Sequence, residues 1–131
     1  NQENTMETLE IFPLTEARIS AVLVARGAMP DERHYRDCQR QVPRWPFPGT
    51  VELWIPDRDG GERYVLATSV NLSFRGLGIQ VDEELPEGME LGIAIHEPEA
   101  SFHGRATVRH CSGIAADSFL IGLEFDFAAK Q

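Results

Sequence analysis

Gly49-Thr50-Val51-Glu52-Leu53-Trp54-Ile55, followed by Pro56-Asp57-Arg58-Asp59-Gly60-Gly61, decides the fold. Val51, Leu53 and Ile55 alternate with Thr50, Glu52 and Trp54, the two-residue period of a half-buried strand, and the Pro-to-Gly stretch turns the chain back on itself. Asp57, Asp59 and Glu62 also look like calcium ligands, but the Gly60-Gly61 pair fits an ordinary hairpin turn better. The same alternation recurs to the end of the chain. Residues 63–70 predict a second strand with Tyr64, Leu66 and Val70 sharing its apolar face. Gly76–Val81 predicts a third, with Leu77, Ile79 and Val81 inward and the acidic turn Asp82–Gly88 behind it. Met89, Leu91, Ile93 and Ile95 alternate with Glu90, Gly92, Ala94 and His96 in a fourth strand. Ser101–Cys111 and Phe119–Phe127 give the fifth and sixth. Short strands with one apolar face, joined by tight turns, hide their edges by closing. The expected fold is therefore all-β, a six-stranded antiparallel barrel over residues 49–131.

Upstream of the barrel the pattern changes twice. Residues 1–35 form an N-terminal extension in which Thr15 can cap a helix through about Arg26, with Ile19, Val22 and Leu23 on one face and Gly27 as its stop. The β-branched content of Ile19–Val24 suits a strand as well, but helix is the favoured reading. Its apolar stripe must be buried against the domain or against a second copy, which makes a homodimer through this extension a candidate. Residues 36–48 are rich in arginine and proline. Arg33, Arg36, Arg40 and Arg44 gather four of the 12 basic residues, and Pro43, Pro46 and Pro48 argue for a loop, since each removes a backbone donor. Guanidiniums crowded on a loop suit a shared anion, phosphate oxygens or the O6/N7 edge of guanine. The competing reading is a solvated charge run countered by Asp31, Glu32 and Asp37.

Composition narrows the classes of function. A net charge of −9 argues against binding a nucleic-acid polymer while leaving room for a small anion at a local basic cluster. No apolar run approaches the roughly 20 residues of a membrane span. Cys38 and Cys111 have neither metal spacing nor a disulfide framework, which fits a reducing, cytoplasmic setting. His103 and His110 lie an odd number apart on one predicted strand and so point to opposite faces, against a shared metal. Ser73 is not in a nucleophile elbow, and nothing else marks an enzyme or a bound cofactor.

Between the second and third predicted strands stands Asn71-Leu72-Ser73-Phe74-Arg75-Gly76, and before the first stands Arg40-Gln41-Val42-Pro43-Arg44. Each alone reads as a polar turn or a charged loop. Together, with Gly104–His110 and Phe119–Phe125 near the end, they resemble the PilZ domain family, bacterial receptors for cyclic di-GMP. The family pattern is Arg-x-x-x-Arg in a loop before the barrel and Asp/Asn-x-Ser-x-x-Gly after its second strand, and the resemblance covers residues 36–127. Arg36–Arg40 also satisfies the first motif. Arg40 and Arg44 are chosen because Arg44 is close enough to the first strand to reach the barrel.

The resemblance implies a binding role for each matched residue. Arg40 and Arg44 would meet phosphate oxygens and a guanine Hoogsteen edge, Asn71 would face guanine, Ser73 would hydrogen-bond at the ligand, and Gly76 would leave room for close approach. Arg36, Arg75 and Arg109 are additional candidates. Gln39, where relatives that bind a stacked ligand pair carry arginine, leans toward one ligand per domain. The function implied is a cyclic di-GMP receptor that rearranges its loop and N-terminal segment and passes the signal to a protein partner. The alternative is a barrel of the same kind that contacts proteins through Trp54 or the N-terminal segment without nucleotide. An oligonucleotide-binding barrel is disfavoured by the overall acidity and the few outward aromatics.

Overall fold

The computed structural model describes residues 10–27, 44–98 and 100–127. In chain order these form β1 (Glu10–Pro13), α1 (Glu16–Ala25), β2 (Trp45–Pro56), β3 (Glu62–Leu72), β4 (Gly76–Val81), β5 (Glu90–Glu97), β6 (Ala100–Ala115) and β7 (Ser118–Asp126). Hydrogen-bonded neighbours run β6-β5-β2-β3-β4-β7, and β7 returns to β6, which closes a six-stranded antiparallel barrel. The expected barrel is thus present. The sixteen residues of β6 make the closure possible: Ala100–Thr107 pair with β5 on one edge while Arg105–Ala115 pair with β7 on the other. Where β7 leaves that edge, β1 takes it over in parallel, with Glu10 to Pro13 opposite Ala100 to His103.

The N-terminal segment belongs to the same core. Thr15 caps α1 by accepting from the Arg18 N–H at 3.2 Å, and Gly27, at φ +93°, ends it in a conformation that side chains resist. Ile19, Val22 and Leu23 are buried with the barrel residues Leu53, Ile79, Ile93 and Ile121. The stripe that needed a partner therefore finds it in its own chain. Leu14 is buried too, its N–H donating to the His103 carbonyl at 2.8 Å, and a Cβ on Gly104 would stand 2.6 Å from the Leu14 Cβ. Arg26 then ties the helix end down. Its guanidinium lies 4.2 Å from the centre of the Phe47 ring and 2.6 Å from the Glu97 carboxylate.

Three expectations need correcting. The first barrel strand starts at Trp45 rather than Gly49, so Pro46 and Pro48 lie in a strand rather than a loop. They are tolerated because β5 pairs with β2 only from Val51 to Trp54, so among the described residues one edge of the lead-in carries no ladder, and the pairing with β3 slips between Pro46 and Gly49. Second, Tyr64, Leu66 and Val70 face outward on β3, while Ala67 and Ser69 are buried. The inward positions are held by Val65, packed against the core, and by the small Ala67 and Ser69, the Ser69 hydroxyl donating to the carbonyl of the buried Phe47 at 2.7 Å. Third, a register shift between Val108 and His110 breaks the alternation along β6, and both His103 and His110 are exposed.

Candidate functional site

The β3–β4 corner is built by its own backbone and one hydroxyl. The Ser73 N–H donates to the Gly76 carbonyl at 2.9 Å. The Ser73 Oγ accepts from the Gly76 N–H at 2.9 Å and the Arg75 N–H at 3.2 Å, and donates to the Gly76 carbonyl at 3.3 Å. Ser73 is buried, so its hydroxyl shapes the turn that presents its neighbours. The turn is anchored to the next strand by the Phe125 N–H, which donates to the Arg75 carbonyl at 2.8 Å. Gly76 pairs with Glu124 of β7 so closely that a Cβ there would collide with the Leu123 carbonyl oxygen. This glycine is therefore required by strand packing within the barrel.

Asn71 sits where two strand irregularities meet. The β2–β3 pairing slips just beyond its partner Pro46, and the β3–β4 pairing slips between Ser69 and Asn71. Such slips re-aim a side chain. The Asn71 carboxamide lies against β4 at Gly78, where a Cβ would come within 2.5 Å of its Oδ1. Gly78 thus holds the space the carboxamide occupies, a role that could be suspected only from the spacing Gly76-Leu77-Gly78.

The chain returns to this corner at the start of β2. Trp45 pairs with Leu72 and Pro46 with Asn71, so Arg44, the residue before Trp45, enters opposite the turn and is exposed. The Trp45 ring meets Phe74 edge-on, with centroids 5.6 Å apart, and fastens the lead-in to the turn. Trp45 was not singled out from the sequence; an aromatic directly after the second arginine of the motif was the available signal. Arg75 is exposed at the tip of the turn. Arg109 flanks the corner on the β7 side, where its Nε donates to Glu124, the residue opposite Gly76, at 2.6 Å. The structure brings together Arg44, Asn71, Ser73, Arg75 and Gly76, with Arg109 beside them in an ion pair. Arg36 and Arg40 lie outside the described residues.

A second polar cluster occupies the outer wall. Glu52 accepts from the Tyr64 hydroxyl at 2.8 Å and contacts His96 Nε2 through its other oxygen, while His96 Nδ1 is 2.7 Å from the Ser101 Oγ. The Tyr64 hydrogen bond, assisted by His96, holds the Glu52 carboxyl below the usual carboxylate range, and Glu52 in turn pushes the Tyr64 phenol up. The order serine, histidine, carboxylate is that of a nucleophilic triad, but Ser101 is buried, at 4% exposure. The cluster fixes the outer wall. Among the described residues no three His, Cys, Asp or Glu side chains are grouped to hold a metal, and no helix is long and apolar enough to cross a membrane.

A family model described as PilZ domain matches residues 38–131. No curated protein matches this sequence. Among solved structures the chain is similar to the Bacillus subtilis inhibitor of motility (MotI/DgrA), with a TM-score of 0.55 and 21% identity, covering 69% of this chain and 44% of that one. It therefore spans less than half the length of that protein, and the likeness at this identity is one of fold.

Proposed function

Because the chain belongs to the PilZ domain family, we propose that it is a bacterial, cytoplasmic receptor domain for cyclic di-GMP that signals to a protein partner. The observation that carries this reading is the strand register that delivers Arg44 to the turn holding Asn71, Arg75 and Gly76. Arg44 and Arg40 supply planar forks for phosphate oxygens and a guanine Hoogsteen edge. Asn71 offers an amide acceptor to guanine N1–H or its exocyclic amine. Ser73 acts by fixing the turn, and Arg75 adds charge at its tip. Arg109 reaches the ligand only by exchanging Glu124 for phosphate.

No bond is made or broken in this mechanism. Signal output follows from which state of the Arg-rich segment the ligand favours. Phe47, three residues after Arg44, lies against Arg26 at the end of α1, so a ligand that tightens the lead-in acts on the helix through that contact. Calorimetric titration with cyclic di-GMP tests the reading, comparing the parent with Arg40→Ala, Arg44→Ala and Asn71→Ala. Saturable binding that is lost or weakened in all three supports it. Absence of heat in the parent favours a protein-contact module instead.

A further inference from the structure

The outer face of β3 is inside-out for a barrel strand. Tyr64, Leu66 and Val70 are 54%, 58% and 37% exposed, while the inward positions between them hold the half-buried Val65 and the small Ala67 and Ser69. A strand that places its larger apolar side chains in water along one line presents a surface suited to cover. What flanks the line is acidic. Glu52 stands directly opposite Leu66 on β2, and the exposed Asp82 follows Val81 at the end of β4, the strand on the other side of β3. Trp54, opposite Tyr64, packs against its ring with centroids 5.6 Å apart and continues the apolar strip onto β2. Beyond Tyr64 come the exposed Glu62 and the hairpin acids Asp57 and Asp59. Of the arginines at this end, Arg63 is already held by both Glu83 oxygens, at 2.8 and 2.6 Å, and Arg58 is exposed in the hairpin between Asp57 and Asp59.

We propose that the Tyr64–Leu66–Trp54 strip, rimmed by Glu52, Glu62 and Asp82, docks a basic segment of a partner protein that carries one or two bulky apolar side chains between lysines or arginines. Such a segment places its apolar anchors on Leu66 and Tyr64 and its cations against the flanking carboxylates. The geometry favours it: the Tyr64 hydroxyl and His96 hold the Glu52 carboxylate beside the strip, where it can meet an incoming cation. The same acidic rim repels anionic lipid and nucleic acid. The surface is on the barrel wall, apart from the β3–β4 corner, so it stands whether or not that corner takes cyclic di-GMP.

The test is a peptide-display selection on the full chain without nucleotide, followed by fluorescence anisotropy with the recovered peptides. The expected peptides interleave Lys or Arg with Leu, Phe or Trp and bind less tightly as salt rises. They should lose about tenfold or more in affinity to Leu66→Lys, and several-fold to Glu62→Lys, while Asn71→Ala leaves them unchanged. Both substituted positions on the strip are exposed, and thermal melts of each variant verify folding. The proposal is overturned by selection of no peptides, by peptides without a basic bias, or by binding that ignores Leu66→Lys. It is equally overturned if the strip proves to be covered by a second copy of the chain, seen as self-association that Leu66→Lys abolishes.

Discussion

Replacing Gly78 with alanine is expected to damage ligand binding while sparing the fold, because the only thing in the way is the Asn71 side chain. A Cβ at residue 78 would lie 2.5 Å from Asn71 Oδ1, 3.2 Å from its Cγ and 3.4 Å from its Nδ2, with no backbone atom among its three nearest neighbours. The half-buried carboxamide can swing clear at little cost, and alanine recovers some of the roughly 0.5–1 kcal/mol that glycine costs within a strand. Stability should stay within about 0.5 kcal/mol of the parent. The displaced carboxamide forfeits one hydrogen bond to guanine, about 1 kcal/mol, or roughly fivefold in Kd. A double-mutant cycle read by calorimetry isolates the cause. Gly78→Ala and Asn71→Ala should each weaken cyclic di-GMP binding about fivefold, and the pair together no more than Asn71→Ala alone. Additive losses, or parent-like binding by Gly78→Ala beside a defective Asn71→Ala, would show that Gly78 does not act through the Asn71 carboxamide.

Gly76→Ala should behave differently, since its Cβ would strike the Leu123 backbone and force β4 from β7; we expect a loss of about 2 kcal/mol in urea unfolding. Arg26→Ala removes both the stacking on Phe47 and a partly exposed ion pair with Glu97, about 1 kcal/mol together, and should speed amide exchange across Glu16–Ala25. Glu52 carries a pH signature. Because its folded pKa is lowered from the ordinary 4.5, its contribution to stability is present above that value and is lost as pH falls through the folded value. The difference in unfolding midpoint between the parent and Glu52→Gln should therefore be fully developed at neutral pH and vanish in acid.

Much of the barrel was legible because its strands alternate locally and its turns carry their own chemistry. Gly60 and Gly88 stand at φ +92° and +91°, and the helix signals at Thr15 and Gly27 operate within one turn. What sequence alone missed depends on distant partners. Glu10–Pro13 becomes a strand only because β6 has a vacant edge, and the prolines of β2 are admitted only because β5 does not reach them. On β3 the half-buried Val65 and the small Ala67 and Ser69 take the inward positions and leave Tyr64, Leu66 and Val70 outside, an assignment that alternation alone cannot make. At the corner, Asn71 and Gly76 announce themselves through a short motif. Trp45 and Gly78 matter through contacts with Phe74 and Asn71 respectively, partners that their position beside the motifs does not name.

The most direct measurement is amide and indole chemical-shift mapping of the 15N-labelled chain during titration with cyclic di-GMP. The largest saturable shifts should fall on Ser73 to Gly78, the Trp45 indole and the Asn71 carboxamide, with the hairpin at residues 57–61 unmoved. Shifts concentrated on that hairpin or on the acidic turn at residues 82–88, or no saturable shift anywhere, would contradict binding at the β3–β4 corner.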